Sequence, residues 1–146
     1  MTIHVRRLID EDHAQWLPLW QGYLTFYEAE VDDAVTQITW QRLVSDDEQP
    51  HGLCAVDETG RLVGIVHYLF HPVTWSISDR CYLEDLFVDP TVRGGGVGKK
   101  LIEAVYAAAD AQGADQTYWL TQEFNDRARR LYDHVATVTP FIKYKR

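Results

Sequence analysis

The run Arg93-Gly94-Gly95-Gly96-Val97-Gly98-Lys99-Lys100 concentrates four of the chain's nine glycines beside three basic residues. A strand-like stretch, Tyr82 to Val88, precedes it, and a helical pattern follows. A glycine-rich turn between a strand and a helix is an anion site. Glycine lets the backbone approach closely, and the first N–H groups of the helix point at the ligand. A phosphate loop of the nucleotide-hydrolase type would need Gly at position 93 and Ser or Thr at 100 for magnesium, and Arg93 and Lys100 stand there. A dinucleotide fingerprint counted from Gly96 would need Gly at 101, where Leu101 stands. The pattern that remains is R-x-x-G-x-G, formed by Arg93, Gly96 and Gly98.

Other reactive groups lie on both sides of this loop. Asn125, Arg129 and Tyr132 fall at i, i+4 and i+7, one face of a helix. Glu84 and Asp85 are adjacent on the strand before the loop, so alternation predicts that they point to opposite faces and that one meets a cleft. Glu28-Ala29-Glu30-Val31-Asp32-Asp33 packs four acids into six positions. His67 and His71 have the i, i+4 spacing that binds zinc on a helix, but they stand in a strand-like run before Pro72 with no third ligand nearby, so no metal is expected. Cys54 and Cys81 are far apart and form no C-x-x-C pair; no disulfide scaffold is expected, and a reducing cytoplasm suits them. Cys81 reads as a buried small residue, not a nucleophile.

These groups need a scaffold, and 146 residues with 46% apolar content make one domain, 1–146, with one core. No apolar run approaches the roughly 18 residues that span a bilayer, so no membrane is expected. Arg6, Arg7, Asp10, Glu11 and Asp12 occupy the place where a leader peptide would be apolar. The net charge of −8 disfavours nucleic acid as a partner. Residues 1–92 hold 16 acids and 5 bases, while residues 93–146 hold 6 acids and 9 bases, which suggests two ligands of opposite sign.

Periodicity supplies the elements. Ile3 to Leu8 alternates as a strand. Asp12 is placed to cap a helix whose face is Trp16, Trp20, Tyr23, Leu24 and Tyr27; Pro18 predicts a late start or a kink. A helix over Val35 to Val44 follows. Leu53 to Val56 and Leu62 to Leu69 are strands joined by a tight turn at Asp57-Glu58-Thr59-Gly60. After the glycine loop comes a helix with Val97, Leu101, Ala104, Val105 and Ala108 on one face and Gly113 as its stop. Gln116 to Thr121 reads as a strand, Asn125 to Val135 as a helix and Phe141 to Lys145 as a last strand. The order is β-α-α-β-β-β-α-β-α-β, an α/β (α+β) mixed sheet.

Leu83-Glu84-Asp85-Leu86-Phe87-Val88-Asp89-Pro90 followed by Arg93-x-x-Gly96-x-Gly98 resembles motif A of the GNAT family of N-acetyltransferases, and Asn125 to Tyr132 resembles its motif B. Tyr82-Leu83-Glu84-Asp85 is similar to the matching strand of the spermidine/spermine branch and of related histone or polyamine acetyltransferases. The family often has Gly four residues after the tyrosine, and Ala136 stands there. The resemblance implies a cytoplasmic acetyl-CoA-dependent enzyme in which an amine attacks the thioester directly. It assigns coenzyme A to Leu86, Phe87 and Val88, to Arg93, Gly94, Gly95, Gly96, Val97, Gly98 and Lys99, and to Asn125 and Arg129. A backbone N–H near Phe87 or Val88 would meet the oxyanion. Tyr132 takes the family's acid position, and Glu84, directly or through water, is the base.

The family builds its acceptor site from the segment between the first two helices. That places Tyr27, Glu28, Glu30, Asp32, Asp33 and Asp85 toward the substrate. With Tyr23 and Trp40 they would form an anionic, aromatic entrance for a small cationic amine, polyamine-like or amino-acid-like. The same chemistry on a protein lysine or N-terminus is the alternative, and a silent acyl-CoA-binding or interaction module is another. A homodimer is expected from the resemblance and the aromatic surplus.

Overall fold

A computed structural model describes residues 2–92 and 94–146. Five strands form one sheet in the order β1-β2-β3-β4-β5, with β1 His4–Arg7, β2 His51–Val56, β3 Leu62–His71, β4 Arg80–Val88 and β5 Thr117–Tyr118. The first four pair antiparallel, and β4 pairs with β5 in parallel. A parallel neighbour needs a crossover, and helix α3, Val97–Gln112, supplies it. Helices α1, His13–Phe26, and α2, Asp33–Val44, cover one face of the sheet; α3 and α4, Asp126–Val135, lie on the other.

Both faces are apolar, as the sequence pattern requires. Trp16, Leu19, Trp20, Trp40 and Leu43 bury against Ile65 and Phe87 on the α1/α2 side. Val97, Leu101, Ile102, Val105 and Ala109 bury against Val63, Val66 and Leu83 on the other. Gly113 ends α3 in the left-handed region at φ 71°, as expected of a glycine stop.

Pro18 lies inside α1, which starts at His13 without delay. Proline's missing N–H deprives only the carbonyl four residues back, and burial of Trp16, Leu19 and Trp20 around it offsets that loss. Asp12 precedes α1 but makes no side-chain cap bond. Its carboxylate instead takes two hydrogen bonds from Arg6, at 2.8 and 2.9 Å, and one from the Ile9 amide at 2.9 Å. A buried carboxylate gains more from a bidentate guanidinium than from one amide.

The expected strand over Phe141 to Lys145 is absent: residues 137–146 carry no regular structure and are exposed. Alternation makes a strand only where another strand accepts its hydrogen bonds, and β5, at the sheet edge, is two residues long. The expected strand Gln116 to Thr121 likewise pairs only at Cys81 with Thr117 and at Tyr82 with Tyr118. Beyond that point β4 and the following chain part, and the gap opens a cleft.

Register corrects one more expectation. His67 pairs with Asp85, but Tyr68 pairs with Leu83, so Glu84 is an extra residue on β4. The bulge breaks the alternation. Leu83 and Leu86 both pack on the α3 side, which turns Glu84 and Asp85 together toward α1. The two carboxylates share a face instead of dividing between two.

Candidate active site

The cleft has a volume of about 520 Å³. Its floor is Leu86, Phe87 and Val88 of β4, and one wall is the glycine turn with the start of α3. Asn125, Ala128, Leu131 and Tyr132 of α4 form the other wall, and Phe26 and Tyr27 close the α1 end. Gly94 and Gly96 lie in the left-handed region, at φ 92° and 77°, and a Cβ on either would meet nothing within 4 Å. Both therefore border open space. Gly96 caps α3, so the unbonded N–H groups of the first turn face the same opening.

A glycine-lined helix start with Lys99 and Arg127 beside it fits a phosphate-bearing ligand. The apolar Leu86, Val88 and Leu131 fit its uncharged arm. Gly98 has a different reason to be glycine. A Cβ there would come within 3.2 Å of Leu131 on α4, so Gly98 sets how closely the two walls approach.

Most of the expected cofactor residues meet in this cleft. Leu86, Phe87, Val88, Gly94, Gly96, Val97, Gly98, Lys99 and Asn125 line the cleft. Gly95 is exposed between its neighbours and stands outside that lining, and Arg93 lies outside the described residues. Asn125 also caps α4, accepting from the Ala128 amide at 3.4 Å. Arg129 is turned away: it donates to the Glu123 carbonyl at 2.7 Å, and Arg127 lines the cleft instead. Helical spacing placed the basic residue on α4 but left its rotation open. The alanine at 136 fits as well, because its φ of −155° is extended backbone that needs no glycine.

Tyr132 packs edge-on against Trp119, ring centroids 5.3 Å apart. Burial, and then the nearby Tyr27, push its hydroxyl up to about 12. Tyr27 also feels Asp85, so it links the Tyr132 end of the cleft to the carboxylates. Glu84 is at the solvent edge. Partial desolvation, then the Asp85 charge, raise its pKa above the ordinary value. Burial first, then the nearby Asp85 carboxylate, raise the Tyr23 hydroxyl above its ordinary value. Tyr82, also raised by burial first, lies within the field of both acids and stacks on Tyr118 at 4.9 Å.

The remaining acceptor residues separate. Glu28, Glu30, Asp32 and Asp33 are exposed on the α1–α2 connection and at the start of α2, outside the cleft lining. Trp40 is buried in the core and is no part of an entrance. The groups missed in the sequence are Phe26, Arg127 and Leu131, together with His67, which bonds Asp85 at 2.8 Å. Cys54 and Cys81 are buried and unpaired, and burial pushes both thiols up to about 11, so neither offers a thiolate at neutral pH. Among the described residues no cluster of three His, Cys, Asp or Glu could hold a metal, and no helix is long and apolar enough to cross a membrane.

Residues 10–136 match the family model described as Acetyltransferase (GNAT) family. The chain belongs to that family. As a GNAT acetyltransferase it is 37% identical over 145 residues to the D-amino-acid N-acetyltransferase HPA3 of Saccharomyces cerevisiae, covering 99% of this chain and 90% of that one. It is 34% identical over 90 residues to the thialysine N-epsilon-acetyltransferase of Bos taurus, covering 62% of this chain and 48% of that one. The GNAT fold is shared with aminoglycoside acetyltransferase AAC(6')-Iy bound to a bisubstrate analogue of coenzyme A, with a TM-score of 0.83 and 21% identity over 100% of this chain and 98% of that one. The chain is thus an acetyl-CoA-dependent N-acetyltransferase of GNAT type.

Proposed function

We propose that this acetyltransferase acts on the primary amine of a small organic cation, polyamine-like or amino-acid-like. The observation that carries this reading is the bulge at Glu84, which turns two carboxylates to one face beside Tyr23, Tyr27 and Tyr82. Carboxylates and aromatic faces together attract an ammonium group. The named activities of the yeast and bovine relatives, on D-amino acids and thialysine, support a small acceptor.

The reaction assigns one task to each part of the cleft. The glycine turn, with Arg93, Val97 and Lys99, holds the pyrophosphate of coenzyme A, and Asn125 flanks it. Glu84 takes a proton from the ammonium group, directly or through a water. The freed nitrogen forms a bond to the acetyl carbon, and the carbonyl electrons move to oxygen. A backbone N–H of the stretch Leu86–Val88 meets that oxyanion. When the carbon–sulfur bond breaks, Tyr132 offers its hydroxyl proton to the leaving sulfur. As the carbonyl re-forms, the nitrogen gives up its second proton, which passes through water to restore the Tyr132 hydroxyl; the amide and coenzyme A thiol depart, and Glu84 releases the first proton to solvent.

Thiol release from acetyl-CoA, screened over polyamines, D- and L-amino acids, aminoglycosides and lysine peptides, tests the reading. A compact amine should be turned over by itself. A requirement for surrounding peptide would favour a protein acceptor, and thioester binding without turnover of any amine would leave only a binding module. The base makes a pH prediction. Glu84 works deprotonated and its pKa is raised in the free enzyme, so the acid limb of kcat/KM should lie above the ordinary glutamate value of about 4.3. In Glu84→Gln that limb should vanish and kcat should fall roughly tenfold, less than the usual figure of about 10²-fold because water can still take the proton. An unchanged limb would assign it to another group.

The reading takes residues 1–146 as one catalytic domain, supported by its single sheet. It places the protein in the cytoplasm, where the two buried, unpaired thiols suit a reducing medium. The net charge of −8 supports a function without nucleic acid or membrane. A homodimer is proposed because Trp75, Phe141, Ile142 and Tyr144 stand 77–90% exposed, more apolar surface than a monomer normally leaves in water. Light scattering at micromolar concentration should give twice the chain mass of 16.9 kDa. The monomer mass would refute it.

A further inference from the structure

We propose that Trp16 and His67 are positioning residues of the acceptor site, holding Asp85 as the carboxylate on which the acceptor ammonium docks. The proposal rests on the small-amine reading above and deepens it.

His67 is 1% exposed, in the middle of β3 and directly opposite Asp85. A histidine buried that deeply, against the Trp16 and Trp20 rings, must satisfy both ring nitrogens. The Trp16 indole N–H lies 3.1 Å from Nε2. An indole nitrogen can only donate, so Nε2 must present its lone pair. The hydrogen-bond network therefore assigns the ring proton to Nδ1, which donates to Asp85 Oδ2 at 2.8 Å. The charged and titratable groups around the ring are Asp85 and Glu84 from β4 and Tyr23 from α1, which lies beside Asp85. From β2 the paired residue is Gly52, which brings no charge.

A ring engaged at both nitrogens has no proton to relay. Its effect is geometric. The His67 N–H holds Asp85 Oδ2 at 2.8 Å and Tyr23 stands beside the same carboxylate, so the carboxylate is kept from swinging toward Glu84. Among the described residues no group hydrogen-bonds the Glu84 carboxylate. The two adjacent acids thereby take different work: a pinned one seats the ammonium, and an unpinned one accepts its proton. Seating in one place is what brings the nitrogen to a fixed distance from the thioester carbon.

The test compares His67→Leu with His67→Asn. Leucine fills the space and removes the donor. Asparagine carries its amide nitrogen one bond beyond Cγ, where Nδ1 stood, and can still donate to Asp85. Loss of a hydrogen bond to a charged group should raise the Michaelis constant for the amine roughly 30-fold in His67→Leu, with a smaller change in kcat. His67→Asn should recover to within about threefold of the parent. Calorimetric affinity for acetyl-CoA should stay at the parent value in both, which a general loss of structure would not allow. A folded His67→Leu with parent amine kinetics overturns the proposal. Should that variant not fold, long-range proton–nitrogen correlation spectra of the parent give the tautomer directly. A proton on Nδ1 alone at neutral pH is the expected result, and a proton on Nε2 overturns it. Insensitivity of the variants overturns this proposal alone, whereas failure of the parent to acetylate any amine overturns the proposed function as well.

Discussion

Tyr132→Phe should lower kcat roughly 10²-fold while leaving the affinity for acetyl-CoA almost unchanged. The ring is held by packing: Trp119 meets it edge-on at 5.3 Å, and a phenylalanine would make the same contact. The variant therefore removes the hydroxyl and little else. Burial pushes that hydroxyl up to about 12, so it keeps its proton throughout the physiological range. The same shift makes it a poorer acid. An ordinary thiol has a pKa of about 8.5, and each pKa unit represents about 1.36 kcal/mol. Handing a whole proton from Tyr132 to the thiolate is consequently uphill. The hydroxyl serves best as a hydrogen-bond donor that stabilises charge while the carbon–sulfur bond breaks. A thioester whose thiol is more acidic needs less of that help, so the defect of the variant should shrink on such a substrate. Parent-like turnover in steady-state kinetics would leave water as the proton donor.

The parts of this site that sequence made legible are those where a position makes a demand few residues meet. Gly96 and Gly113 occupy left-handed backbone at the two ends of α3, and both could be read as the helix's punctuation. The apolar stripe Val97, Leu101 and Val105 fixed which side of α3 faces the sheet. Tyr132 came from spacing and resemblance together, and it lines the cleft.

What stayed hidden depends on parity or on distance along the chain. A strand read by alternation changes faces with one inserted residue, and the bulge at Glu84 is such an insertion. The His67–Asp85 pair joins residues 18 apart on two strands, and nothing local marks it. Arg127 and Arg129 differ by about 200° around a helix turning 100° per residue, so only the docking of α4 decides which one reaches the cleft. The last strand failed for another reason. Phe141 to Lys145 alternates correctly, but a strand exists only as one member of a pair.

Coenzyme A binding should be lost, by roughly 100-fold or more, in both Gly96→Val and Gly98→Val, for two different reasons. At Gly96 the obstacle is backbone geometry. Its φ of 77° lies where a side chain costs about 1–2 kcal/mol, and a β-branched one costs more. Relief of that strain would re-aim the first N–H groups of α3, and the added atoms would also enter the open space beside them. At Gly98 the backbone is helical and the obstacle is Leu131, 3.2 Å from the Cβ position, with Val88 at 3.8 Å. The branched side chain would press the two walls apart and displace α4, carrying Tyr132 with it. Gly98→Val should therefore lose residual kcat as well as affinity. Gly96→Ala, which pays the backbone cost without branching, should fall between parent and valine in affinity and keep its kcat. Calorimetric titration with coenzyme A, paired with turnover at saturating acetyl-CoA, separates the two causes. Folded valine variants that bind as the parent does would remove the glycine turn from the site.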